Sequence, residues 1–211
     1  FVDNEGISSY LNFIYNDIDI YQSQIVILTS NFLSPIADLA PTFYRFEIQD
    51  TIVSDKGDSL IQLYFTPRNT SDLLFRGTML ITTDGHYAVQ DVKLSTSKNI
   101  NMNWVKGMKI SQQFERNADG RWHVSRSNIQ TDFGLTSFKS KGGVYGERDV
   151  SYKNFLINMP RADTIYSDPS TVALKVAKSR PDSFWNASRH DTLSTAEAKV
   201  YGNMDSLQRM A

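Results

Sequence analysis

The chain holds three histidines, His86, His123 and His190, and each falls in a different setting: a hairpin turn, a strand beside Trp122 and a polar loop. Metal ligands must converge in space and are usually announced by short spacings such as His-x-x-x-His, of which the chain has none, so no metal site is expected. Asp84-Gly85 and Asn117 to Gly120 combine oxygen ligands with glycine. They lack the acidic ladder and closing Glu of a calcium loop and read as turns. A serine nucleophile wants a Gly-x-Ser-x-Gly elbow or a nearby base, whereas Ser140-Lys141 is only an adjacent pair in a glycine-rich stretch. Glu115 and Asp132 would act as catalytic carboxylates only across a cleft. Gly142-Gly143 and Gly146 precede a strand rather than a helix, so the amide and dipole geometry that captures phosphate does not form. Cysteine is absent, which excludes thiolate ligands, a Cys nucleophile and a disulfide framework. The residues predict no catalytic centre, no metal and no cofactor.

Charge narrows the partners. Lys and Arg total 22 against 23 Asp and Glu, a formal net charge of -1, which leaves no basic excess to attract nucleic acid or an anionic membrane surface. No stretch approaches the ~18 apolar residues that a spanning helix needs.

The elements that would position these residues are mostly strands. Aromatic residues make up 12% of the chain, a composition that leans towards β-structure. Residues 1–42 are ambiguous: Leu11, Ile14 and Tyr15 have helical spacing, while Ile18, Ile20 and the run Ile25 to Ile27 are β-branched. Pro35 and Pro41 then mark a crossover or loop. From Phe43 the period is two, with Tyr44, Phe46 and Ile48 on one face and Arg45, Glu47 and Gln49 on the other. The turn Asp55-Lys-Gly-Asp58 leads to Ile61, Leu63 and Phe65, and Gly77 to Thr83 carries Met79 and Ile81 before the Asp84-Gly85 hairpin signal.

A return strand runs from Tyr87 to Ser95. Met108, Ile110, Gln112 and Phe114 then alternate with Lys109, Ser111, Gln113 and Glu115, and Asn117 to Gly120 turns the chain into Trp122 to Leu135. A last strand spans Val144 to Ile157. Seven or eight strands in meander order are therefore expected, antiparallel throughout, and such a sheet must curl, close or be covered on its apolar face. Cover would come from the N-terminal segment, from residues after 160, from an absent partner or from an apolar ligand. The aromatics Tyr44, Phe46, Phe65, Trp104, Phe114 and Trp122 read first as core. Beyond Pro160 a polar stretch leads through Ala173 to Ala177, a short helical turn, and on to Phe184-Trp185. Ser194 and Glu197 form a capping-box pair that starts a helix over Ala196 to Met210.

Two stretches carry a resemblance. The first comprises Phe43-Tyr-Arg-Phe-Glu, Leu63-Tyr-Phe-Thr-Pro-Arg-Asn, Phe75-Arg-Gly, Ile81-Thr-Thr-Asp-Gly, Tyr87-Ala-Val, Ile100-Asn-Met-Asn-Trp-Val and Ile110-Ser-Gln-Gln-Phe. The second is Phe184-Trp-Asn-Ala-Ser-Arg189 with Leu193-Ser-Thr-Ala-Glu197 and Tyr201. Together they resemble the middle region of a large Bacteroidetes family of unknown function, whose members place a carboxypeptidase-regulatory-like β-sandwich before it and an outer-membrane β-barrel after it. The strand order is more loosely similar to the lipoprotein carriers LolA and LolB, where an apolar concave sheet holds acyl chains.

The missing motifs argue for a non-catalytic module, and the resemblance implies that it lies on the periplasmic side of the outer membrane. Its partners would be its own flanking domains and a lipid, lipoprotein or extended peptide; a spacer that orients neighbouring domains is the alternative, and a hydrolase with an unrecognised site the third. Starting on Phe1 and ending inside a helical pattern, the chain reads as part of a longer protein. The expected fold is mainly β (α+β): a curved antiparallel meander or open half-barrel, LolA-like, covered by short helices. The sheet domain would span 1–158, and 159–211 would form a polar extension with a C-terminal helix. The expected ligand seat is the apolar face made by Tyr44, Phe46, Ile48, Ile61, Leu63, Phe65, Met79, Ile81, Met108, Ile110 and Phe114.

Overall fold

The computed structural model describes residues 17–27, 30–54, 57–97, 100, 102, 105–134, 143–160, 181–189 and 191–210. Leu11, Ile14, Tyr15, Trp104, Ser140, Lys141, Gly142, Ala173 to Ala177 and His190 lie outside them.

The period-two segments form strands, although the last ends at Ser151 rather than at Ile157. Seven of them, β3 (Tyr44–Val53), β4 (Ser59–Pro67), β5 (Phe75–Thr82), β6 (Val89–Thr96), β7 (Val105–Arg116), β8 (Trp122–Gly134) and β9 (Gly143–Ser151), pair in chain order into one antiparallel sheet. The ends of the sheet are β3 and β9, so it is open rather than closed into a barrel. The hairpin turns use the residues expected of them. Gly85 adopts φ 89°, a conformation costly for any residue with a Cβ, and the Asp84 carboxylate before it accepts hydrogen bonds from Thr82 Oγ1 at 2.8 Å and the His86 amide at 3.0 Å. Those two bonds hold the Asp84 carboxyl below its ordinary range and occupy it as a turn-former.

The ambiguous N-terminal run resolves as a two-stranded hairpin, β1 (Gln24–Ile27) and β2 (Ser30–Leu33), followed by a one-turn helix, α1 (Ala40–Phe43), with proline near its start. This hairpin lies on the apolar face of the large sheet: Ile25, Ile27 and Phe32 share one core with Tyr44, Phe65, Phe75, Met79, Leu94 and Ile110. Phe32 stacks on Phe75 with ring centroids 4.7 Å apart. Cover by short helices is the expectation, yet strands supply most of it, because the alternation of β1 turns Ile25 and Ile27 into the sheet and leaves Gln24 and Val26 facing water.

The chain divides into two compact units, Phe1–Ile157 and Asn158–Ala211. The second contains α2 (Asp182–Ser188) and α3 (Thr195–Met210). The start of α3 is a reciprocal capping box, with the Ser194 amide donating to Glu197 Oε2 at 2.7 Å and the Glu197 amide to Ser194 Oγ at 3.3 Å. No helix among the described residues is long and apolar enough to cross a membrane.

Candidate functional site

Strand register places the eleven apolar positions on one face. Phe46 lies opposite Phe65, Ile48 opposite Leu63, Leu63 opposite Met79, and Ile61 opposite Ile81. Along that face their surroundings differ. Tyr44, Phe65, Met79, Met108, Ile110 and Phe114 are buried in the shared core, with Leu63 and Ile81 packed against it. Ile61 is half-buried, Phe46 is 37% exposed and Ile48 65% exposed. Of these eleven positions the two exposed ones, Phe46 and Ile48, both lie on β3, which is also an edge strand of the sheet.

Polar anchors tie the cover down. The Tyr44 hydroxyl donates to the Leu33 carbonyl at 2.6 Å and accepts from the Phe75 amide at 3.2 Å. Burial pushes its pKa up to about 12, outweighing the Phe75 bond that lowers it. Gln112, only 2% exposed, sits among the inward residues of β7 and donates from Nε2 to the Ile18 carbonyl at 2.7 Å. Its position on the apolar face is legible from the alternation, but its partner, 94 residues away, is not.

The opposite face is polar and hollowed. Register aligns side chains across the strands: Gln62, Leu80, Asp91, Gln113 and Arg126 in one row, and Tyr64, Thr78, Lys93, Ser111, Asn128 and Asp149 in the next. Three hollows of about 740, 370 and 300 Å³ lie on it. The largest sits by the hairpin ends and is bordered by two β-bulges, whose extra residues are Gln90 and Ser125. A bulge re-aims side chains without breaking the strand, and both extra residues line this hollow. Asp91, also lining it, is half-buried, and desolvation raises its carboxyl pKa more than Lys93 and Gln113 lower it.

The residues with chemical potential do not converge. His86 is exposed in its hairpin, and His123 stacks on Phe155 with centroids 5.2 Å apart. Glu115 and Asp132 are exposed near opposite ends of β7 and β8, opposite His123 and Gly107 respectively. Gly143 and Gly146 are strand residues of β9. Among the described residues no group of three or more His, Cys, Asp or Glu side chains is placed to hold a metal ion.

An open seven-stranded antiparallel sheet with one face packed under its own hairpin and the other polar defines a mainly-β domain. The chain belongs to a family of unknown function (DUF5686), whose model matches residues 2–151. Neither the curated proteins nor the solved structures contain a match to it.

Proposed function

We propose that the chain is a non-catalytic interaction module whose β3 edge receives an extended, partly apolar peptide segment. The observation that carries this is the emergence of Phe46 and Ile48 at an edge strand ten residues long. An edge strand offers unpaired backbone N–H and C=O groups, and a peptide laid along it gains main-chain hydrogen bonds while its alternate side chains meet the apolar ones of β3. An acyl chain of the kind LolA-like carriers hold suits the site less well, since most of the seat it would use shares a core with Ile25, Ile27 and Phe32.

The setting belongs to the same proposal. The resemblance carried by the segments between Phe43 and Phe114 and between Phe184 and Tyr201 supports a Bacteroidetes outer-membrane protein, with this module on the periplasmic side between a carboxypeptidase-regulatory-like domain and a β-barrel.

A fluorescein-labelled peptide alternating Val and Thr tests the edge directly. Its anisotropy should rise on titration with the protein, and hydrogen exchange of β3 amides should slow. Ile48→Lys should abolish both. Binding that survives Ile48→Lys, or no slowing anywhere on β3, overturns the reading in favour of a spacer.

A further inference from the structure

We propose that the polar face of the large sheet binds a neutral glycan chain. The three hollows form one trough: Gln113 lines both the first and the second, and Ser111, Asn128 and Gln130 line both the second and the third. An elongated ligand therefore has a continuous path from the hairpin ends to mid-sheet.

The lining selects the chemistry. Amide side chains each donate and accept, as sugar hydroxyls do, so a floor of Gln113, Asn128 and Gln130 with the hydroxyl of Ser111 between them matches a ligand rich in hydroxyl groups. The network is already oriented: Asn128 Nδ2 and Gln130 Nε2 donate to Glu147 Oε1 at 2.9 and 3.1 Å, and Arg126 grips Asp149 through two bonds of 3.1 and 2.9 Å. Side chains held in place by such bonds lose little freedom when a ligand arrives.

Charge argues for neutrality. Lys93, Lys109, Arg116 and Arg126 are offset by Asp58, Asp84, Asp91, Glu115 and Asp149 along the trough, leaving no basic surplus for a phosphorylated or sulfated polymer. At the hairpin end the half-buried Trp122, which also packs against the core, lines the largest hollow together with Leu80. Such an apolar wall suits the C–H face of a pyranose ring. The largest hollow reaches β3 at Ile52 and Val53, beyond Phe46 and Ile48, so a substitution at Ile48 distinguishes the two proposals.

The test is a titration of the isotope-labelled protein with maltohexaose, cellohexaose, xylohexaose, mannohexaose, laminarihexaose and dextran at millimolar concentration, with heparin as the anionic control. Saturable shifts at the amides of Ser111, Asn128 and Gln130 with at least one neutral sugar are expected. Asn128→Ala and Trp122→Ala should each weaken that binding about tenfold, the equivalent of one well-made hydrogen bond or ring contact, while Ile48→Lys leaves it unchanged. Each variant's dispersed amide spectrum establishes that it is folded. No saturable shift with any neutral sugar, a response to heparin alone, or affinity indifferent to both trough substitutions overturns the proposal.

Discussion

Tyr44 joins three elements through one oxygen. Its hydroxyl bridges Leu33 of the cover and Phe75 of β5 from a fully buried position at the start of β3. Because its folded pKa is raised to about 12 from 10.0, the neutral form is what the fold stabilises. That contribution is fully present below pH 10 and is lost as pH rises through the folded value, since the unfolded chain ionises first. The rise from 10.0 to about 12 is worth about 3 kcal/mol across this window. Tyr44→Phe should lower stability at neutral pH by about 1–3 kcal/mol, the cost of leaving the Leu33 carbonyl and the Phe75 amide without their partner. Urea titrations at pH 8 and pH 11.5 check both parts: the gap between wild type and Tyr44→Phe should narrow at the higher pH. An equal gap at the two values would assign the hydroxyl a pH-independent packing role.

At this scale little of the site is legible in the sequence, for a physical reason. Residue type announces Tyr44 and Gln112 as a core aromatic and a polar residue in an apolar row. Their partners are fixed by the position of the hairpin cover, and nothing in the local spacing encodes a bond from Gln112 to Ile18.

The strands themselves are the most legible elements, because a sheet with one packed face needs side chains alternating at period two. The segments around Phe43, Leu60, Gly77 and Trp122 lie within β3, β4, β5 and β8 or at their margins. Capping-box spacing likewise locates the start of α3. By contrast α2 has only seven residues and no side-chain cap bond, and its Pro181 reads equally well as a loop residue, so no periodicity exposes it. A glycine inside a strand marks either a bulge or a close backbone approach. At Gly77 it is the latter: an added Cβ would lie 1.7 Å from the Lys93 carbonyl oxygen of the neighbouring strand and 3.1 Å from the Phe65 ring. Backbone cannot swing aside as a flexible side chain does. Gly77→Ala should therefore destabilise the sheet by on the order of 3 kcal/mol or more, well above the ordinary cost of a point substitution. Thermal unfolding followed by circular dichroism measures it, and a shift of only a degree or two would mean that β5 and β6 part without cost.

At the scale of the whole molecule, one sheet presents two unlike surfaces, and stability and recognition should separate along them. Alternation distinguishes an apolar set from a polar one, but it leaves open what covers the first and where the hollows form, since both depend on how strands far apart in sequence are arranged. The hairpin β1–β2 settles the first question by packing Ile25, Ile27 and Phe32 into the core. Two bulges, at Gln90 and Ser125, help shape the second by bordering the largest hollow on the polar side. Phe32→Ala removes a buried ring stacked on Phe75 and should cost about 3–5 kcal/mol. Ile48→Lys changes a side chain 65% exposed at the sheet edge and should stay within about 0.5 kcal/mol of wild type. Measured together by urea denaturation, the pair discriminates: a large loss for Ile48→Lys would make β3 part of the stabilising core rather than a surface for partners, and a small loss for Phe32→Ala would mean that the cover is loosely held. The expected contrast, a cover that supports the fold and an edge that contributes little to it, is the condition under which the β3 edge is free to serve recognition.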